Sequence, residues 1–143
     1  MRRDRRYRQG GFTLIELVVV IVIVAILAVI IVPRFLGRTE DAKRAAAIAT
    51  ISSLKTQIGL YSADNGHVPA GNQGLMALIA NPGEKGWKGP YMPDVSVVPK
   101  DPWDHDYVYK APGDNGRDYD ILSPGPDGQL GTQDDVQSWN LQK

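Results

Sequence analysis

Gly11-Phe12-Thr13-Leu14-Ile15-Glu16 opens the run that decides how this chain can fold. From Leu17 to Val32 no side chain is polar, and Pro33 closes the segment. As a helix rising 1.5 Å per residue, residues 12–32 extend about 31 Å, close to the hydrocarbon thickness of a bilayer. A membrane is the solvent that suits such a surface.

Glu16 is the exception. A carboxylate inside an apolar span costs about 2.5–3.5 kcal/mol at the bilayer centre and less near an interface, so such acids generally have a partner. The nearby cations lie upstream, where residues 1–11 carry five arginines and one aspartate. Those arginines orient the span with its N-terminus in the cytoplasm by the positive-inside rule, yet they do not obviously reach Glu16. A helix N-terminus would favour the acid by only about 0.3–1 kcal/mol.

Beyond the span, the 143-residue chain leaves enough length for one modest core. The whole chain balances 16 basic against 16 acidic residues, but without residues 1–11 the count is 11 against 15. That deficit removes the basic excess of a nucleic-acid binder. Cysteine is absent, so a disulfide, frequent in small exported domains, cannot hold the C-terminus.

The helical pattern resumes after Pro33, which should kink it by removing a backbone donor. Ala45, Ile48, Ile51, Leu54, Ile58 and Tyr61 recur at spacings of three and four and predict one buried face of an amphipathic helix reaching about Ala63. Asp64-Asn65-Gly66 is a stop and turn signal. Leu75, Leu78 and Ile79 suit a short second helix, and residues 81–100, rich in Pro and Gly, read as a loop. Strand candidates follow at 95–98, 107–110 and 119–122, the last two predicted to form an antiparallel hairpin across the turn cluster 111–116.

Residues 123–136 bring Asp127, Asp134 and Asp135 into a glycine-rich loop. Gathered carboxylates repel unless a cation neutralises them, and an oxygen-only set without Cys or His matches Ca²⁺ rather than Zn²⁺. The loop lacks the EF-hand spacing, and a solvated turn also accounts for its composition. Catalysis finds no support: His67 and His105 sit in turn-rich segments without a nucleophile elbow or metal-ligand spacing. Trp87, Trp103 and Trp139 fit core or interface anchors better than a sugar platform.

Three groups of residues carry a family resemblance. A basic leader ending in Gly11, then Phe12-Thr13-Leu14-Ile15-Glu16 and an unbroken apolar helix to Pro33, resembles the N-terminus of type IV pilins and type II secretion pseudopilins. Within that apolar helix Ala25 stands where relatives commonly have Gly. The stretch 61–78 is similar to the stretch after the long helix in the major-pseudopilin family, where a short second helix follows. Asp101-Pro102-Trp103 and the loop Gly125-Pro126-Asp127-Gly128, Gly131-Thr132, Asp134-Asp135, with Trp139-Asn140 after it, match the same family; Asp104 replaces a frequent Gly.

The resemblance implies an α+β fold, in which a long N-terminal helix, membrane-spanning and then amphipathic, packs on a small three-stranded antiparallel sheet ending in a calcium loop. It implies a cytoplasmic leader, 1–11, cut between Gly11 and Phe12 by a prepilin peptidase that methylates the Phe12 amine. A membrane and filament-core helix, 12–36, and a periplasmic domain, 37–143, follow. Glu16 would pair with the Phe12 amine of a neighbouring protomer. Ca²⁺ would take side-chain oxygens of Asp127, Asp134 and Asp135 and carbonyls of Pro124 and Gln129. The implied function is a structural subunit of a filament that drives folded proteins through the outer membrane. It would sit as a single-pass inner-membrane protein with minor pseudopilins and an assembly platform as partners. A type IV pilus subunit and a monomeric membrane-anchored calcium module are the alternatives.

Overall fold

The computed structural model describes residues 11–141, with the side chains of 30–37 left aside. The expected leader lies outside the described residues except for Gly11, and the expected kink at Pro33 and the end of the expected span fall within 30–37. The chain separates into two compact units, Met1–Thr39 and Glu40–Lys143. A helix, α1 (Leu14–Asn65), runs through the boundary.

In the first unit α1 begins where the sequence caps it. Thr13 precedes the first helical residue and its hydroxyl accepts the Glu16 backbone N–H at 3.2 Å, the N-terminal half of a Thr-x-x-Glu capping box. Its large apolar side chains are uncovered, from Phe12 (88% exposed) through Val29 (75%). Among the described residues no helix is long and apolar enough to cross a membrane, the described part of the apolar run ending at Val29.

The second unit is α+β. Ala47, Ile51, Leu54, Ile58 and Tyr61 of α1 are fully buried at alternating spacings of four and three, and they meet Leu75, Leu78, Tyr91, Tyr107, Ile121 and Val136. Ala45 is exposed and Ala47 takes its place. Six residues before Ile51 lies about 120° around the helix, off the buried stripe, whereas four residues before lies on it. The short second helix forms as a 3₁₀ helix, Gly74–Leu78.

Three antiparallel strands lie in sequence order: β1 (Val108–Lys110), β2 (Asp120–Ser123) and β3 (Val136–Gln137). The expected hairpin is β1–β2, with Val108 opposite Leu122 and Lys110 opposite Asp120. The strand candidate at 95–98 does not form. Pro93 and Pro99 bracket it and supply no N–H to a ladder, and the third strand comes instead from Val136 and Gln137, beyond the acidic loop.

With no disulfide, polar contacts fix the C-terminal segment. Lys55 Nζ on α1 donates to the Ser138 carbonyl at 3.1 Å, Ser138 N donates to the Ile121 carbonyl at 2.9 Å, and Ile121 N donates back to Ser138 Oγ at 3.1 Å. The Arg117 guanidinium stacks 4.1 Å from the Trp139 ring centroid while gripping the buried Asp120 carboxylate at 2.5 and 3.0 Å. Trp87 and Trp103 pack against the core, as anchors should.

Candidate functional site

Two places carry the residues singled out by sequence, one in each unit. At the start of α1, Glu16 is exposed in the first helical turn, four residues after Phe12. Four apolar turns bearing a single acid cannot be satisfied by water. Such a surface is built for lipid or for other apolar helices, with the acid as the one polar handle.

The acidic loop between β2 and β3 is held by its own side chains. Asp127 Oδ1 accepts the Gln129 N–H at 2.8 Å, Asp134 Oδ2 accepts the Asp127 N–H at 3.2 Å, and Asp135 Oδ2 accepts the Gly131 N–H at 2.8 Å. At its centre sits the Thr132 hydroxyl, 2.5 Å from Asp134 Oδ1, 3.2 Å from the Gln129 carbonyl and 3.5 Å from Asp127 Oδ1. A hydroxyl has one proton, so it serves one of these three acceptors and leaves the others facing an oxygen. Its hydrogen bond holds the Asp134 carboxyl below the usual carboxylate range, against partial burial.

Asp135 is the most informative member. It is 5% exposed, and its Oδ1 is buried without a hydrogen-bond partner among the described residues. An ionised oxygen in that position costs stability unless a cation or water meets it. Among the described residues no three His, Cys, Asp or Glu side chains form a ready-made metal cluster; the carboxylates are instead spent on backbone amides and on Thr132. The donor chemistry nevertheless fits a hard cation, with two carboxylates and a carbonyl converging on one hydroxyl, and the next residue in the chain, Asp135, carrying a buried carboxylate oxygen without a partner among the described residues.

The structure thus brings Asp127, Asp134 and Gln129 together through Thr132. Asp135 lies next in the chain, and Pro124, buried, sits one residue before Gly125. Its carbonyl is not among the oxygens that the Thr132 hydroxyl meets. Sequence reading missed Thr132 as a participant, although a hydroxyl placed among three acids was the available signal. It also missed Arg44 on α1, whose Nη1 donates to the Asp134 carbonyl at 3.1 Å across 90 residues of sequence. No local pattern announces such a contact.

Gly125 and Gly128 are where the loop needs glycine. Gly125 has φ +67° and a Cβ there would lie 2.7 Å from the Asp134 carbonyl oxygen; Gly128 has φ +69° and its Cβ would meet His105 Nε2 at 2.9 Å.

Comparison with known proteins follows the same two regions. The prokaryotic N-terminal methylation motif matches residues 6–32, and the family described as type II secretion system (T2SS), protein G matches residues 34–139. Over 138 residues the chain is 42% identical to the type II secretion system core protein G of Escherichia coli (strain K12), covering 95% of this chain and 94% of that one. To its counterpart in Pectobacterium carotovorum subsp. carotovorum it is 44% identical over 139 residues, covering 96% and 88%. The crystal structure of the major pseudopilin from the type 2 secretion system of enterohaemorrhagic Escherichia coli superposes with a TM-score of 0.61 at 33% identity, covering 73% of this chain and 92% of that one.

Proposed function

The chain belongs to the protein G family of type II secretion systems, and from that membership we propose how it works as a structural subunit of the secretion pseudopilus. It is a building block of a filament and not an enzyme. Its N-terminal methylation motif marks it as a membrane-associated secretion component.

In our reading, a prepilin peptidase cuts between Gly11 and Phe12 on the cytoplasmic face and methylates the new Phe12 amine. Residues 12–36 cross the inner membrane once and then form the filament core, with residues 37–143 in the periplasm. The observation that carries this is the uncovered apolar surface of α1, which bears one acid, Glu16, in its first turn. Cleavage supplies a cation for this acid, which has none among the described residues. The amine of one protomer pairs with Glu16 of the next, so desolvation of each charge is offset only in the polymer. Growth of the filament, nucleated by minor pseudopilins on an inner-membrane platform, pushes folded proteins toward the outer membrane.

The acidic loop acts as a calcium staple. Asp127, Asp134 and Asp135 would hold the ion with carbonyls of Gln129 and Pro124, and the orphaned Asp135 Oδ1 supports that assignment. The ion's chemistry is charge neutralisation: it lets three acids share one turn and stabilises the folded loop by binding it alone.

The test is the full chain expressed with its secretion machinery, followed by electron microscopy and intact-mass measurement. Glu16→Ala should lose its leader normally yet give few or no filaments. Filaments at wild-type yield from Glu16→Ala, or wild-type protein still carrying residues 1–11, would overturn the assembly reading.

A further inference from the structure

Beneath the acidic loop lies a closed circuit of hydrogen bonds that the staple itself does not require. Asp101, with a fully buried side chain, accepts the Trp103 and His105 backbone N–H groups on Oδ1 at 3.0 and 2.8 Å. Its Oδ2 accepts the Ser123 hydroxyl at 2.6 Å, and Ser123 Oγ in turn accepts the Gly125 N–H at 3.3 Å. The circuit closes through His105, whose Nδ1 lies 2.9 Å from the Gly125 carbonyl. A carbonyl only accepts, so the imidazole carries a proton on Nδ1. That nitrogen is 3.8 Å from Asp101 Oδ2, too far for a second bond.

Gly125 is therefore clamped on both sides, its N–H by Ser123 and its carbonyl by His105, and both clamps are organised by one buried carboxylate. It stands between Pro124 and Asp127, two of the residues assigned to the cation. The far edge of the same imidazole lies against Gly128, between Asp127 and Gln129, the third assigned residue of that half. One ring thus meets the first half of the loop at two points, Gly125 and Gly128, on either side of Asp127. Strand β2 ends at Ser123, so without the clamp the five residues after it have only the loop's own contacts to fix them.

We propose that His105 is a positioning residue for calcium: it touches no ion, but it pre-organises the turn 124–129 so that the carbonyl and carboxylate donors there bind without a further ordering cost. This rests on the calcium reading above. Residues that orient metal ligands through a hydrogen bond typically change metal affinity by about 10–100-fold when removed.

The clamp makes a demand that plain packing does not. The N–H must sit at the δ position of residue 105. Asparagine places an amide nitrogen there, while glutamine places it one bond further out, at the position of Nε2. Calcium titration by calorimetry of the full chain in detergent micelles, on wild type and on His105→Ala, His105→Gln and His105→Asn, tests this, with melting in EGTA as a control for folding. His105→Ala and His105→Gln should each raise the Kd about tenfold or more, and His105→Asn should stay within about threefold of wild type. If His105→Ala does not fold, the Gln and Asn pair carries the same contrast.

Wild-type affinity in His105→Gln, or equal losses in Gln and Asn, overturns the proposal while leaving the staple intact. A wild-type chain that takes up no calcium overturns both.

Discussion

Asp104 is held at φ +71°, in the left-handed region that an L-residue with a Cβ enters at a cost of roughly 1–2 kcal/mol, less for Asp and Asn. The turn needs it there, because Asp104 N donates to the Asp101 carbonyl at 3.0 Å and the next residue must deliver His105 to the acidic loop. Asp104→Gly removes the strain and loses, among the described residues, an exposed ion pair with Lys100, while glycine's extra backbone freedom offsets part of the gain, so a small net gain of up to about 1 kcal/mol is expected, read as a higher denaturant midpoint with an unchanged slope. A second residue-scale prediction concerns Asp120. The Arg117 guanidinium holds its carboxyl below the usual range, against burial. A carboxyl lowered by folding stabilises above its unfolded value near 3.9 and loses that contribution as pH falls through the folded value. The stability difference between wild type and Asp120→Asn should therefore hold from pH 7 to about 5 and shrink below about 4 in chemical denaturation. Arg117→Ala, which leaves the buried carboxylate its Asp114 N–H bond at 2.8 Å but takes away the guanidinium, should cost about 3 kcal/mol at neutral pH.

At the scale of elements, α1 gives the core more buried apolar residues than any other element, and truncating its buried stripe should act accordingly. Ile51→Ala and Ile58→Ala, both at fully buried positions, should each cost about 2–5 kcal/mol in denaturant unfolding, whereas Ala45→Ser on the exposed face should stay within about 0.5 kcal/mol. The helix was legible because its signal repeats: an unbroken apolar run, a 3.6-residue stripe and the stop at Asp64-Asn65-Gly66 agree on one element. The β1–β2 hairpin was legible through its turn cluster. β3 was not, because two residues are too short to show alternation, and Val136 reads as the tail of an acidic loop until Ser123 is seen opposite it. The site divides the same way. Asp127, Asp134 and Asp135 announce themselves by composition and Thr132 by its place among them, but Arg44 and the Asp101–Ser123–Gly125–His105 circuit exist only once distant segments meet, and no local spacing encodes them.

At the scale of the whole molecule, the absence of cysteine decides where stability must come from. The last segment is tied down by Lys55, Ser138 and Arg117 with Trp139, and in our reading by calcium in the loop that leads into β3. These two devices are separable. At 100 times its Kd the ion would add about 2.7 kcal/mol by mass action, vanishing on chelation, while the hydrogen bonds to Ser138 remain. Full chain in detergent micelles should therefore melt several degrees lower in EGTA than in calcium, and still melt cooperatively in both. Asp135→Asn keeps an oxygen for the Gly131 N–H but gives up the charge of the orphaned atom, so it should melt near the wild-type EGTA value and respond little to added calcium. Filament yield in cells should follow the calcium-dependent part alone, falling in Asp135→Asn although its leader is removed and its domain is folded. Identical wild-type melting with EGTA and with calcium would instead place the stability of β3 wholly in its contacts to α1 and β2, and the loop would be a solvated turn.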